Sequence, residues 1–334
     1  MMKNLSKLIF FITLILGSLI SISSNTWLGM WMGLEMNLLS FIPLIVNLKN
    51  SLSTESALKY FLTQALASSI FLFCILMIFI KNNFLLNEMN QIYWIMNSSL
   101  LMKMGAAPFH FWFPEMMEGL SWTMSFLLMT WQKIAPMIII SYCLVFPMIM
   151  IIVTLSIVIG SIGGLNQTSL RKIMSYSSIN HLGWLLSSLL ISSFYWMIYF
   201  LFYTLISLAV IFYFNKLNLF YFNQLYSLNN FNPIVKFMIF CNLLSLGGLP
   251  PFTGFLPKWI IIQTLSYSNL FLVSTMVVFT LITLFFYIRL TYSAFMINYT
   301  ELKWINFNEL NTNLILSFLV TMGLPIVSLL YLIF

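Results

Sequence analysis

Four charged residues stand inside apolar runs long enough to cross a membrane, and their chemistry is the first clue to what this chain does. Glu35 lies in WMGLEMNLLSF, Lys103 in LLMKMGAAPFH, Lys133 in LLMTWQKIAPM and Lys258 in GFLPKWIII. A charge at the centre of a bilayer costs at least about 2.5 to 3.5 kcal/mol, so residues of this kind mark ion pathways, proton relays or buried pairs. One acid and three bases suit a proton relay. Burial disfavours the charged form of a lysine and a nearby carboxylate favours it, so moving or neutralising Glu35 would make Lys103 release a proton. His110, in GAAPFHFW, and His181, in SYSSINHLGW, are possible further relay groups near neutral pH. Plainer readings stand beside these: a static ion pair for Glu35, snorkelling or carbonyl contacts for Lys103 and Lys258, and satisfied hydrogen bonds for the histidines. Lys59 reads as an interfacial anchor, and Glu115 and Glu118 as groups facing water or a partner.

The elements that must hold these residues are dictated by composition. Of 334 residues, 61 % are hydrophobic and 6 % charged, with a mean hydropathy of +0.99, whereas a soluble domain is about 25 % charged. A soluble enzyme and a disordered chain are both excluded. The 14 lysines and arginines outnumber seven acidic residues, all glutamate, but they are scattered, so no face for nucleic acid forms. Cys74, Cys143 and Cys241 lie far apart in apolar runs, which makes a disulfide framework or a thiolate metal site untenable and leaves them as packing. Neither GxGxxG nor GxxxxGK[ST] opens a helix, and no paired histidines face each other for haem, so no cofactor or metal is expected in this chain. The abundance of Phe, Met, Ile and Asn follows A/T-rich codons and suggests an organellar genome.

A helix needs about 20 apolar residues to span the hydrocarbon core, and such windows fall at 5–23, 26–47, 57–80, 92–118, 121–144, 146–165, 173–191, 194–214, 233–265, 269–297 and 314–334. The first, despite its lysines, is read as a membrane helix and not a signal peptide. The fourth and ninth are overlong and interrupted by Gly and Pro, which lipid tolerates only where the freed backbone is buried or lines a cavity. GAAPFHFWFPE from Gly105 and GLPPFTGFLPK from Gly248 share Gly, Pro, Phe and a second Pro at a constant offset. Each falls in the fourth helix of a five-helix set, and because five is odd the second set enters from the opposite face. The predicted fold is therefore an all-α polytopic membrane bundle of about 11 transmembrane helices. It comprises two inverted five-helix repeats with broken fourth helices, 1–145 and 146–297, then a loop and C-terminal helix, 298–334. Lys and Arg in the loops gather on the N-terminal side, making that side the inside. Glu35, Lys103, Lys133 and Lys258 are then expected along one buried polar axis.

Four stretches carry a resemblance: LLMKMGAAPFHFWFPEMMEGL, MTWQKIAPM, GGLNQTSLRKIMSYSSINHLGW and LLSLGGLPPFTGFLPKW. With these motifs the whole chain resembles the antiporter-like, proton-translocating subunits of mitochondrial respiratory complex I, NADH:ubiquinone oxidoreductase, in an insect-like form. The resemblance implies a single antiporter-like membrane domain over 1–334, derived from a fourteen-helix fold lacking its first three helices. It casts Glu35 as the carboxylate paired with Lys103, Lys103 and Lys258 as the lysines of the two broken helices, and Lys133 as the lysine bridging half-channels. It further implies a multi-pass protein of the mitochondrial inner membrane with its N-terminus on the matrix side. Its partners would be other membrane and accessory subunits and lipid, with NADH, flavin, iron-sulfur clusters and ubiquinone housed in those partner subunits. A stand-alone cation/proton antiporter and a non-pumping scaffold subunit are the competing functions.

Overall fold

The computed structural model describes residues 5–47, 50–80, 86–226 and 233–296, together with 317, 318, 320, 321 and 323. Regular structure among the described residues is helical, apart from an antiparallel bridge between Ser169 and Tyr221. Contacts divide the chain into two compact units, Met1–Ile152 and Val153–Phe334. The first holds α1 (Leu5–Ser23), α2 (Trp27–Ile45), α3 (Ser51–Ile80), α4 (Leu86–Met104), α5 (Trp112–Gly119), α6 (Trp122–Met129) and α7 (Trp131–Tyr142). After α8 (Phe146–Gly164), which contains the divide, the second holds α9 (Leu170–Ile191), α10 (Ser193–Lys216), α11 (Phe222–Tyr226), α12 (Pro233–Gly247), α13 (Phe255–Ser266) and α14 (Leu270–Met296). Most of the window 314–334 lies outside the described residues, as do Lys3, Lys49, Lys81 and Lys303.

Seven membrane-crossing stretches are long and apolar enough among the described residues: α1, α2, α3, α6 with α7, α8, α10 and most of α14. The protein is thus a polytopic helical membrane protein. α9 is long enough, at 22 residues, but its polar content keeps it from this set, and 17 of those residues are buried. A helix enclosed by protein has no need of a lipid-facing apolar surface. Its serines answer their own burial, since Ser175, Ser177, Ser178, Ser187 and Ser188 each donate to the carbonyl three residues earlier.

Small residues set the helix approaches. A Cβ on Gly33 of α2 would stand 2.5 Å from the Ser21 amide nitrogen and 2.7 Å from the Gly17 carbonyl oxygen of α1. In the second unit a Cβ on Gly160 of α8 would meet the Asn180 amide nitrogen of α9 at 2.7 Å. Such contacts between backbones are how membrane helices gain van der Waals packing where lipid offers no hydrophobic drive.

Both overlong windows are broken. α4 ends at Met104 and is followed by Gly105 at φ +73°; α12 ends at Gly247 and is followed by Gly248 at φ +84°. An L-residue in that left-handed region costs roughly 1–2 kcal/mol, so glycine is the residue that lets each helix stop within the bundle. The window 121–144, read from sequence as one span, is also divided. Thr130 separates α6 from α7, its amide and its hydroxyl both donating to the Phe126 carbonyl at 3.0 and 2.7 Å. A hydroxyl competing for the helical acceptor bends the backbone, a local effect that hydropathy cannot register.

Candidate functional site

Lys103, Lys133 and Lys258 are only 7 %, 1 % and 6 % exposed, and Glu35 is half-buried. The first unit gathers three of these four residues: α2 carries Glu35, α4 carries Lys103 in its last turn, and α7 carries Lys133.

The end of α4 explains the position of Lys103. The last carbonyls of a helix lack intrahelical donors, and here side chains from elsewhere supply them. Gln64 of α3 donates Nε2–H to the Lys103 carbonyl at 3.1 Å, and Trp112 of α5 donates Nε1–H to the Met102 carbonyl at 3.2 Å. Beside Lys103 lies a cavity of about 10 Å³ whose polar lining is Asn37, Tyr60, Gln64, Lys103 and Gln132. Gln132 donates to the Asn37 Oδ1 at 2.9 Å, tying α7 to α2 across that cavity. No contact ion pair joins Glu35 to Lys103 among the described residues.

Lys133 is held differently. Its Nζ lies 5.5 Å from the centroid of the Phe113 ring, a cation–π contact. The same ring packs against the first break, since a Cβ on Gly105 would meet the Phe113 Cβ at 3.1 Å. His110 sits within that break, its Nδ1 3.2 Å from the Pro108 carbonyl oxygen and its ring 4.3 Å from that of Phe111. The structure therefore places His110 on the backbone of its own turn, outside the lining of the Lys103 cavity.

In the second unit Lys258, on the first turn of α13, donates to the Gly247 carbonyl at 2.8 Å and to the Leu246 carbonyl at 3.4 Å. It caps the end of α12 as a cation at the negative pole of a helix, and its Nζ lies 5.9 Å from the Trp184 ring centroid. His181 Nδ1 is 2.8 Å from the Tyr199 hydroxyl. Both line a second cavity of about 10 Å³ with Tyr203, Ser245 and Pro257, the residue before Lys258. Asn180 donates to Thr283 Oγ1 at 3.2 Å. Asn242 is fully buried with neither side-chain polar atom bonded to a described residue, an arrangement that calls for ordered water.

Two minor residues gain contacts that the sequence did not show. Glu115 meets Lys59 at 2.9 Å, and Lys59 also meets Glu55 at 2.9 Å, so Glu115 pairs within its own chain. These groups are substantially exposed, and pairs of that kind contribute about 0–1 kcal/mol. Cys143 is more than packing: Asn97 donates to its carbonyl at 2.8 Å, and its thiol donates to Asn97 Oδ1 at 3.0 Å, fastening the end of α7 to α4. Among the described residues no cluster of three His, Cys, Asp or Glu could hold a metal ion.

Sequence reasoning overlooked Asn37, Tyr60, Gln64 and Gln132. They carry no charge, so a search for ionisable groups at membrane depth passes over them. The available signal was position: Asn37 follows Glu35 by two residues, Gln132 precedes Lys133, and Tyr60 and Gln64 are one turn apart in an apolar run.

Comparison with known proteins agrees with this architecture. Residues 24–283 match the family model described as NADH:quinone oxidoreductase/Mrp antiporter, transmembrane. A protein of Anopheles gambiae named NADH-ubiquinone oxidoreductase chain 2 is 56 % identical over 342 residues, covering 99 % of this chain and 100 % of the relative. Among solved structures, a chain of respiratory complex I from Thermus thermophilus with bound aureothin superposes with a TM-score of 0.85 at 22 % identity, over 96 % of this chain and 78 % of that one. A chain of the Mrp complex from Dietzia sp. DQ12-45-1b gives 0.72 at 14 % identity, over 84 % and 59 %. The two structural likenesses establish the fold, and the family model with the near-complete relative establishes kinship: the chain belongs to the NADH:quinone oxidoreductase/Mrp antiporter transmembrane family.

Proposed function

We propose that the chain is a core, subunit 2-type membrane component of the proton-pumping NADH:ubiquinone oxidoreductase of the mitochondrial inner membrane, respiratory complex I. It moves protons through Glu35, Lys103, Lys133 and Lys258 while NADH oxidation and ubiquinone reduction proceed in partner subunits. The observation that carries this reading is the burial of three lysines inside a membrane bundle, two of them beside helix breaks opened by left-handed glycines. A buried lysine alternates between ammonium and amine at modest cost, so it can take up a proton and pass it on, whereas arginine cannot. The name of the Anopheles gambiae relative supports membership of complex I over a free-standing antiporter.

Within this reading helices 1 to 5 and 6 to 10 of the expected spans form inverted repeats, supported by the left-handed glycine opening each break. The N-terminus faces the matrix, supported by the excess of Lys and Arg in loops on that side. His181, hydrogen-bonded to Tyr199 beside the Lys258 break, is a further relay candidate; His110, bound to its own turn, is a weaker one. Flavin, iron-sulfur clusters, NADH and ubiquinone belong to partner subunits, and membrane and accessory subunits and lipid surround the bundle. Mild detergent extraction followed by native separation tests the assignment. The chain should co-migrate with NADH-oxidising activity in a large assembly. Recovery as a small particle exchanging cations for protons, with no NADH oxidation, would establish the antiporter reading instead.

A further inference from the structure

We infer that the outer face of α3 holds one diacyl phospholipid whose headgroup pairs a phosphate with a primary ammonium, as phosphatidylethanolamine does. Its two tails straddle a leucine ridge, and its headgroup sits on the cluster formed by Glu55, Lys59 and Glu115. The inference concerns a surface outside the relay and stands whether or not the buried lysines carry protons.

Helix length sets the level of the cluster. α3 has 30 residues, about 45 Å at a rise of about 1.5 Å per residue, whereas the hydrocarbon core is about 30 Å thick. Glu55 and Lys59, with Ser51, Ser53, Thr54 and Ser56, crowd the start of the helix, so the surplus length lies at that end. About 20 residues counted back from Ile80 cross the core, which leaves Glu55 and Lys59 in the headgroup layer.

Below this level α3 is flanked by two grooves. One, of about 620 Å³, runs from Lys59 and Glu115 past Leu62 and Thr63 to Leu66 and Phe111, so charge at its mouth gives way to apolar surface within two turns. The other, of about 540 Å³, has Ile42, Val46, Leu58 and Phe61 on its wall. Leu58 and Leu62 stand one turn apart between the two, 63 % and 60 % exposed. Each volume falls within the range of about 300–1,000 Å³ that a small ligand fills. A partner helix is a single rod and would occupy one groove. Two grooves under one charged cluster match two tails under one headgroup.

Charge then selects the headgroup. Lys59 Nζ lies 2.9 Å from Glu55 Oε1 and 2.9 Å from Glu115 Oε2, and an ammonium carries three N–H donors, so the third can meet a phosphate oxygen. Two carboxylates outweigh one ammonium here, which repels an anionic headgroup. A choline has no N–H to offer the carboxylates. An ethanolamine headgroup supplies both parts, a phosphate for Lys59 and a primary ammonium for the carboxylate oxygens left over. The tail in the larger groove meets Trp112, which lines that groove and donates to the Met102 carbonyl at 3.2 Å. The lipid therefore braces the first helix break from outside.

The test uses the assembled complex in phosphatidylcholine nanodiscs carrying, in separate samples, trace phosphatidylethanolamine, phosphatidylcholine or phosphatidylglycerol with a photoreactive diazirine in each tail. As a share of all label in the complex, the ethanolamine probe should mark the peptides bearing Phe111 and Ile42 about threefold or more over either other probe. Glu115→Lys makes the cluster net positive and should turn that preference to phosphatidylglycerol. Equal marking by the three probes, a choline or glycerol preference in the wild type, or label confined to one groove overturns the inference. So does density for a partner subunit's helix in either groove, which would make the face a protein contact, or an unchanged ethanolamine preference in assembled Glu115→Lys.

Discussion

At the scale of single residues, the site consists of charges whose partners are mostly uncharged. Lys258 rests on two carbonyls, Lys133 on an aromatic face, and Lys103 beside a small polar cavity. Such partners hold a lysine without fixing it permanently as an ammonium, which a close carboxylate would do. In the proposed relay Glu35 modulates Lys103 at a distance. Glu35→Gln preserves shape and removes the charge that favours the Lys103 ammonium, so the pH optimum of coupled turnover is expected to move to lower pH. An unchanged profile with less assembled complex would assign Glu35 a structural role alone. Asn97 offers a different expectation. It satisfies the buried carbonyl and thiol of Cys143, and Asn97→Leu strands the carbonyl at a cost of about 1–3 kcal/mol. Thermal inactivation of the purified complex should begin at lower temperature, with turnover per surviving complex preserved; equal thermal stability would dismiss the contact.

At the scale of elements, the two breaks are the decisive features, and each depends on one glycine. Gly248→Ala forces a left-handed L-residue, costing roughly 1–2 kcal/mol, and its Cβ would come within 3.0 Å of the Lys258 side chain. Gly105→Ala carries the same backbone strain and crowds Phe113 at 3.1 Å. Both variants are expected to lower thermal stability and coupled turnover together, and wild-type values for both quantities would contradict the placement of the breaks. The recurring Gly-Pro-Phe-Pro pattern made these interruptions legible, because glycine and proline act on the backbone directly. The apolar run 5–23 likewise coincides with α1, where lipid leaves no alternative to a helix. Less was legible where neighbours decide. The division at Thr130 depends on one hydroxyl meeting the Phe126 carbonyl. The enclosure of α9 depends on the helices packed around it, and so do the roles of Tyr60, Gln64 and Gln132, whose isolated polarity gives no hint of a shared cavity.

At the scale of the whole molecule, a chain with 6 % charged residues buries at least four of its fourteen basic groups, Lys103, Lys133, Lys236 and Lys258. Charges that lipid rejects persist there because helix breaks and polar side chains within each unit provide buried surroundings that accept them. The scarcity of titratable groups elsewhere concentrates any proton chemistry on those few positions. The account's central claim is that they carry protons and do not merely hold helices in register. Its most direct test is Lys103→Met in the assembled complex, comparing proton-pumping NADH:ubiquinone turnover with NADH oxidation by an artificial acceptor that needs only the redox centres. The expected result is a loss of coupled turnover of about tenfold or more, with assembly and acceptor activity unchanged. Full coupled pumping in that variant would contradict the claim and leave Lys103 a structural lysine.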